Sequence, residues 1–226
     1  MADMELVTNY TGVVNSLNKS KNESQLNKSV ILVAVSKKRS VEDVKVIYDQ
    51  GQRIFGENYP QELLKKSQAL PKDIEWHLIG HLQSNKVKKL LNAIPNLVIE
   101  SVDSVKIARE INKHASNRNK TKVYIEINIG ETESKTGADI ELLNEIADEI
   151  VNNCKNLELI GIMSLGNVGS KAEFEKMLQL KEKLCEKYKF DKNKFIASFG
   201  TSQDFNEAIL SGSDEVRVGH QIFEKT

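Results

Sequence analysis

Lys37 is the residue of this sequence best placed to act as a nucleophile. It follows Ser36 at the end of the apolar run 31–35. An unbroken apolar run of this length is typical of a strand buried on both faces of a parallel sheet. Lys37 is therefore predicted at the carboxyl edge of the sheet, where the ligands of α/β folds bind. There it is either a solvated strand end or an amine that attacks an aldehyde.

The segment Ser198-Phe199-Gly200-Thr201-Ser202 is predicted to bind a phosphate after a seventh strand. Glycine lets the backbone approach a ligand closely, and hydroxyls together with free amides bind anions. The segment 217–219 is the matching element on an eighth strand, and barrels frequently bind phosphate with the loops after these two strands. The alternative is that Thr201 or Ser202 only caps the following helix.

Arg217 is predicted to lie inside a strand, where a charge is costly unless it is paired. The sequence leaves three possible partners for Arg217: a phosphate, a carboxylate such as Glu57, or a ring nitrogen. Lys135, in the loop segment 133–137, is the rival lysine. Because it lies well past the fifth predicted strand, we expect an electrostatic role for it rather than a covalent one.

No metal site or disulfide is predicted. His77 and His81 are four residues apart, but they do not share a helix, which argues against a metal-binding pair. Cys154 and Cys185 lack a CxxC spacing and fall within helical patterns, so they are expected to be reduced and buried.

The composition narrows the classes of function. A chain of 226 residues is most simply one domain, 1–226. Its 32 basic residues equal its 32 acidic ones, so no net field draws it to nucleic acid. No apolar stretch approaches the roughly 18 residues of a transmembrane helix, and the acidic N-terminus has no signal core. We therefore expect a soluble cytoplasmic protein with no membrane or nucleic-acid partner.

Hydrophobic periodicity predicts the scaffold that must position these residues. Eight strands alternate with helices, the pattern of a (β/α)₈ TIM barrel in the α/β class, with an open doubly wound sheet as the alternative. A helix around 6–17 is predicted to complete the outer ring, because no full helix follows the last strand. The predicted strands are 31–35, 52–57, 74–79, 97–100, 123–129, 157–162, 194–198 and 215–218. The residues predicted to begin helices are Ser40, Pro60, Ser84, Asp103, Asp139, Ser170 and Thr201.

Seven stretches, in order along nearly the whole chain, resemble the pyridoxal phosphate homeostasis protein family. The barrel of this family is similar to the N-terminal barrel of alanine racemase. The matching stretches are 32–37, 55–59, 76–86, 133–137, 161–163, 198–204 and 216–219.

The resemblance implies that Lys37 forms a Schiff base with pyridoxal 5′-phosphate (PLP). It also implies that Ser202 and the backbone amides around Gly219 and His220 hold the phosphate. Arg217 would face the pyridine nitrogen and weaken the ring as an electron sink, which suits a carrier better than a transaminase. The full set of predicted cofactor-binding residues is Lys37, Asn58, Met163, Ser198, Gly200, Thr201, Ser202, Arg217, Gly219 and His220.

Three positions depart from the family pattern. The family usually has methionine where Thr201 stands, threonine or serine where His220 stands, and glycine where Glu224 stands. The first two touch the predicted phosphate site. Binding is expected to survive if its contacts are mostly backbone amides.

The leading functional prediction is a monomer that carries, buffers or delivers PLP to apo-enzymes without robust catalysis. An amino-acid racemase is the main alternative. In alanine racemase a tyrosine from a separate β-domain of the partner subunit supplies the second base, and this chain has no room for that domain after strand eight. A Schiff-base aldolase acting on a phosphorylated sugar and a cofactor-free scaffold are further alternatives.

Overall fold

Eight parallel strands close into a barrel in sequential order, as the periodicity predicted. The computed structural model describes residues 2–24, 29–116, 119–130 and 136–225. The strands are β1 (Ile31–Val35), β2 (Ile54–Glu57), β3 (Glu75–Leu78), β4 (Leu97–Val102), β5 (Thr121–Glu126), β6 (Leu157–Met163), β7 (Ile196–Thr201) and β8 (Glu215–Val218). β1 pairs with β8 over four residues, which closes the ring. The open-sheet alternative is therefore wrong.

Helices surround the barrel. They are α1 (Ala2–Glu23), α2 (Val41–Asp49), α3 (Pro60–Ala69), α4 (Ser84–Ala93), α5 (Val105–His114), α6 (Leu143–Asn153), α7 (Lys171–Tyr188), α8 (Phe205–Ser211) and the single turn α9 (His220–Phe223). α1 packs against α8, α9 and α2 and buries Leu6, Val13 and Leu17. It thus occupies the place in the outer ring that was predicted for it. Within the described ranges, no helix has both the length and the apolar character needed to cross a bilayer.

Three predicted helix starts are confirmed. Ser40 caps α2 in a reciprocal capping box with Asp43. Pro60 occupies the first position of α3, where its missing N–H costs nothing. Ser170 caps α7 by accepting a hydrogen bond from the backbone of Glu173.

The other predicted starts are displaced. Ser84 is the first residue of α4, not its cap, and the side chain of Gln83 before it makes no capping bond. α5 is capped by Ser104, whose hydroxyl accepts from the Ile107 amide at 3.4 Å, and not by Asp103. A 3₁₀ turn, Ile140–Leu142, precedes α6, and Asp139 before it makes no side-chain cap. Each error is one to three residues, because neighbouring polar residues compete for the same backbone amides.

The strand β7 runs further than predicted, and it includes part of the segment predicted to bind phosphate. The amides of Lys194 and Phe195 bond back to the carbonyl of Asp191, so the strand begins only at Ile196. Its far end, at Thr201, lies beyond an irregularity in the pairing with β8. Segment 198–201 is therefore strand, and Thr201 does not begin α8, which is preceded by Asp204.

The barrel lumen holds a polar layer between two apolar clusters. One cluster is Val33, Val35 and Ile79, and the other is Val98, Tyr124 and Met163. Val35 is the last residue of β1, and Lys37 follows two residues later, in a turn at the carboxyl end of the barrel. The buried polar residues of the layer are His77, Glu100, Ser198, Glu215 and Arg217.

Candidate functional site

A cavity of about 470 Å³ opens at the carboxyl ends of β1, β7 and β8. Seven of the ten predicted site residues line it, although they come from distant parts of the chain. The lining residues are Val35, Lys37, Asn58, Ile79, Leu165, Thr201, Ser202, Gln203, Arg217, Gly219 and His220. Barrel closure therefore brings the lysine, the hydroxyl segment and the arginine to one place.

Lys37 stands at the edge of this cavity with an unengaged amine. Its side chain is exposed, and with the described residues it makes no ion pair or side-chain hydrogen bond. A second recess of about 420 Å³ adjoins the cavity and shares Lys37 with it, adding Lys38, Arg39 and Tyr59 to the lining. The amine is thus available to a ligand from either recess.

Ser202 joins the ends of β7 and β8. Its hydroxyl oxygen accepts a hydrogen bond from the Gly219 amide at 3.0 Å, and its carbonyl accepts one from Gln221 at 2.6 Å. The hydroxyl proton of Ser202 remains available to an anion. At Gly219 a Cβ would lie 2.7 Å from the Val35 carbonyl oxygen, so only glycine allows this close approach of β8 to β1.

Thr201 and His220 line the cavity but have other partners. The amide and hydroxyl of Thr201 both donate to Asp204, at 2.8 and 3.1 Å. The ring of His220 contacts the Glu224 carboxylate through Nε2. The side chains of Thr201 and His220 are therefore engaged with carboxylates, Asp204 and Glu224.

Arg217 is buried beneath the cavity and is fixed by two serines. One Nη donates to the Ser198 hydroxyl, and the other donates to the Ser164 carbonyl at 2.7 Å. The Nε is buried and has no partner in the ranges that the structure describes. Within the described part of the chain, no carboxylate forms an ion pair with Arg217.

The predicted alternative of an Arg217–Glu57 pair is wrong. Glu57 instead accepts from Lys66 at 2.5 Å and from Ser36 at 2.7 Å. Burial raises the pKa of Glu57, and the Lys66 and Ser36 contacts partly offset that rise. The pair ties α3 to the ends of β1 and β2, directly behind Lys37.

Sequence reasoning did not identify the buried cluster below Arg217. His77 Nδ1 lies 2.6 Å from Glu100, and the Tyr124 hydroxyl donates to Glu215 at 3.0 Å. The inward alternation of β3, β4 and β8 was the signal that could have found it. Contacts between strands that are not neighbours in the ring must cross the lumen, so this cluster fills the barrel interior.

The pKa values in the cluster are strongly shifted. Burial alone would lower the pKa of His77, but the hydrogen bonds to Glu100 and Glu75 outweigh it and raise the pKa to about 10. Burial and the charge of Glu100 raise the pKa of Glu215 to about 7. The contact with His77 lowers the pKa of Glu75 to about 2. At neutral pH the His77 ring is therefore a cation.

His77, Glu100 and Glu215 have the residue types of a metal site, and their ligand atoms lie within 4.8 Å of one another. Both nitrogens of the His77 ring face carboxylates, with Nδ1 2.6 Å from Glu100 and Nε2 3.4 Å from Glu75. His81 does not join the group, since it is exposed with Nδ1 3.4 Å from Asp103. The cluster is accordingly a network of ion pairs and hydrogen bonds.

Three predicted site residues do not line the cavity. Ser198 is fully buried and contacts Arg217, because β7 includes it. Gly200, at φ +98°, packs where a Cβ would lie 2.5 Å from Ala208. Met163 is buried in the lumen with Val98 and Tyr124. These corrections follow from the extended strand and from the lumen packing. The rival lysine, at position 135, lies outside the described residues.

A family model and individual relatives place the chain among similar proteins. The sequence model of the alanine racemase N-terminal domain matches residues 17–225. The chain is 40% identical to the pyridoxal phosphate homeostasis protein of Homo sapiens, over 85% of this chain and 75% of that protein. It is 36% identical to the protein of the same name from Caenorhabditis elegans, over 88% and 87% of the two chains.

Solved structures agree with the fold. A protein of unknown function from Bifidobacterium adolescentis matches with a TM-score of 0.88 at 29% identity, over 98% of this chain and 96% of that chain. PipY of Synechococcus elongatus, solved with PLP bound, matches with a TM-score of 0.74 at 28% identity, over 92% and 99% of the two chains.

Proposed function

The chain belongs to the pyridoxal phosphate homeostasis protein family and to the alanine racemase N-terminal domain family, and we propose that it binds PLP as a Schiff base on Lys37. It acts in PLP homeostasis by carrying, buffering or delivering the cofactor, without robust catalysis. The observation that carries this proposal is that the free amine of Lys37 shares one cavity with Ser202, Gly219 and Arg217.

The residues present fit the cofactor. A cavity of about 470 Å³ is within the usual size of small-molecule sites, which is roughly 300–1,000 Å³. Asn58 Oδ1 and Arg217 Nε are buried polar atoms that have no partner among the described residues, and a bound ring with polar substituents supplies such partners. The Ser202 hydroxyl proton is available to the phosphate.

Each residue has a distinct task. The Lys37 amine condenses with the aldehyde of PLP, so that a C=N bond forms and water leaves. Ser202, with the backbone at Gly219 and His220, holds the phosphate. Arg217 directs its guanidinium at the pyridine nitrogen and, as a permanent cation, disfavours protonation there. Bound PLP supplies an electron sink, and an unprotonated ring nitrogen weakens it, which favours retention over turnover.

The test is a titration with PLP followed by near-visible absorbance, borohydride reduction and mass spectrometry of the adduct. We expect the adduct on Lys37 in the wild-type protein and in Lys38→Ala, the matched control, and none at that position in Lys37→Ala. An adduct spread over surface lysines, or none after reduction, would refute the proposal.

Amino-acid racemisation is the second candidate. The observation that favours it is Tyr59, whose side chain is 45% exposed and lines the recess beside Lys37, where a second base is needed. A racemase exchanges the α-hydrogen of L- and D-amino acids with solvent deuterium and loses this exchange in Tyr59→Phe. The carrier proposal expects no exchange in either protein.

The remaining elements of the proposal concern assembly and partners. We propose that the chain acts as one PLP-binding domain and as a monomer, in the cytoplasm, with PLP-dependent apo-enzymes as acceptors. Light scattering at several concentrations tests the monomer, and a mass of two chains would refute it. Transfer to an apo-enzyme that is no faster than transfer from free PLP would refute delivery by direct contact.

A further inference from the structure

A continuous line of buried polar contacts leads from Arg217 into the barrel. Arg217 donates to the Ser198 hydroxyl, and Ser198 donates to Glu100 Oε2 at 3.5 Å. The second oxygen of Glu100 accepts from His77 at 2.6 Å. The line crosses the lumen from β8 and β7 to β4 and β3. Glu100 thus receives two donors, one from the direction of the cavity and one from the barrel interior.

The residues of this line are shielded from bulk solvent. Arg217 is 3% exposed and His77 is 2% exposed, while Glu100 and Ser198 are fully buried. In such surroundings electrostatic interactions are much stronger than at a surface. A change of charge at Glu100 will therefore be felt at the cavity floor.

The contacts also orient the guanidinium. Its two Nη atoms are held by Ser198 and the Ser164 carbonyl, so the plane of the group is fixed and the Nε edge is left without a protein partner. A planar, five-donor group with two anchored nitrogens has little freedom to turn. The acceptor that anchors one nitrogen, Ser198, is itself held by Glu100.

We propose that Glu100 is a positioning residue for the cofactor site: through Ser198 it orients Arg217 and supplies a negative charge beneath the cavity. His77 holds Glu100 in place. The proposal rests on the proposed function, since it concerns the residue that faces bound PLP. It assigns a role to Glu100, Ser198 and His77, none of which lines the cavity.

Two other carboxylates, Glu215 and Glu126, also interact with the groups around Arg217. Glu215 lies 3.9 Å from His77; burial and the charge of Glu100 raise its pKa, and His77, Ser198 and Arg217 partly offset that rise. Glu126, at the end of β5, interacts electrostatically with Arg217 and accepts from Thr136 at 2.5 Å. Glu100 accepts from the Ser198 hydroxyl through one oxygen and contacts His77 through the other, so it is fixed on both sides, and we assign the positioning role to it.

The expected effect has a definite sign. The protonated Schiff base on Lys37 is a cation, and the charge of Glu100 stabilises it relative to the neutral form. Replacing that charge lowers the pH at which the bound cofactor changes its absorbance. We expect Glu100→Gln to lower this midpoint by about half a pH unit or more, which is about a threefold change in the protonation equilibrium.

Ser198→Ala is the second variant, because it removes the bridge while leaving the carboxylate. It should broaden or shift the same spectrum and weaken PLP retention about threefold or more. Ser101→Ala is the matched control: Ser101 follows Glu100 on β4, is 1% exposed, and its hydroxyl has no partner. Its spectrum and midpoint should equal those of the wild type, whatever its effect on Tm.

A measurement without cofactor tests the same link. In the apo-protein, the unfolding free energies of Glu100→Gln, Ser198→Ala and the double variant form a cycle, and connected residues give non-additive changes. Additive changes together with an unshifted absorbance midpoint in both variants would overturn the proposal. If wild-type protein does not bind PLP at all, the proposed function fails, and the cycle still decides whether Glu100 and Ser198 are linked.

Discussion

His220 and Glu224 contact each other through Nε2 and a carboxylate oxygen, one turn apart at the rim of the cavity. Both positions depart from the family pattern, and the contact joins the two departures to each other. The histidine ring is held toward Glu224, and a negative charge is brought near the place proposed for the phosphate.

Removing that carboxylate should strengthen PLP binding. In Glu224→Gly, which restores the family residue, a phosphate no longer faces a nearby anion, and we expect the Kd to fall about two- to threefold, the size of an exposed charge interaction. Titration at low salt measures it. Glu224→Gln, which keeps the side chain without its charge, should give the same result. A weaker affinity in both variants would show that the contact with His220 helps to shape the site.

Gly219→Ala should disturb the end of β8. The new Cβ would lie 2.7 Å from the Val35 carbonyl oxygen, so β8 must move away from β1. We expect a loss of about 1–3 kcal/mol in unfolding free energy, together with weaker PLP binding, both measured in urea and absorbance titrations. Gly12→Ala is the matched control: nothing lies within 4 Å of its Cβ in α1, and alanine should stabilise that helix by about 0.5–1 kcal/mol. An unaffected Gly219→Ala protein would contradict the close approach.

Lys66→Met should be among the most damaging substitutions. It leaves Glu57 buried without its partner and removes the donor to the Ser36 carbonyl at 2.6 Å. Breaking a buried pair on one side costs about 3–5 kcal/mol. Lys65→Met is the control, since Lys65 is exposed on the same helix. Urea unfolding of both proteins checks the prediction, and equal stabilities would show that Glu57 is not ionised in the folded protein.

His77 should make stability depend on pH in the alkaline range. Its pKa is about 10 in the folded protein and near 6.5 when unfolded, so its contribution is fully present below pH 6.5. As pH rises from about 6.5 to 10, that contribution is lost, with a slope approaching about 1.4 kcal/mol per pH unit. Unfolding in urea at pH 7, 8 and 9 measures this slope. His77→Gln should reduce it, whereas His114→Gln, on the surface helix α5, should not.

The location of Lys37 was predictable because it depends on local pattern. An apolar run of five residues must be a buried strand, and the residue just past it must emerge at the sheet edge. The alternation of eight such runs with helices could also be predicted, and it indicated the barrel. The end of β7 could not be predicted. The strand continues through Gly200 and through an irregular pairing with β8, and neither feature has a distinct sequence pattern.

By itself, then, the sequence determined the alternation of eight strands with helices and the place of the lysine after the first strand, since both follow from the periodicity of apolar side chains. The pairing of β1 with β8 decided between the barrel and an open sheet. Only the tertiary structure decided that Ser198 supports Arg217 from inside the barrel, that Glu57 pairs with Lys66, and that His77 and Glu100 meet. The physical reason is that these contacts join residues of different elements, either on two neighbouring strands or on a strand and a helix. They depend on the closure and stagger of the ring, which bring together residues that no local pattern relates.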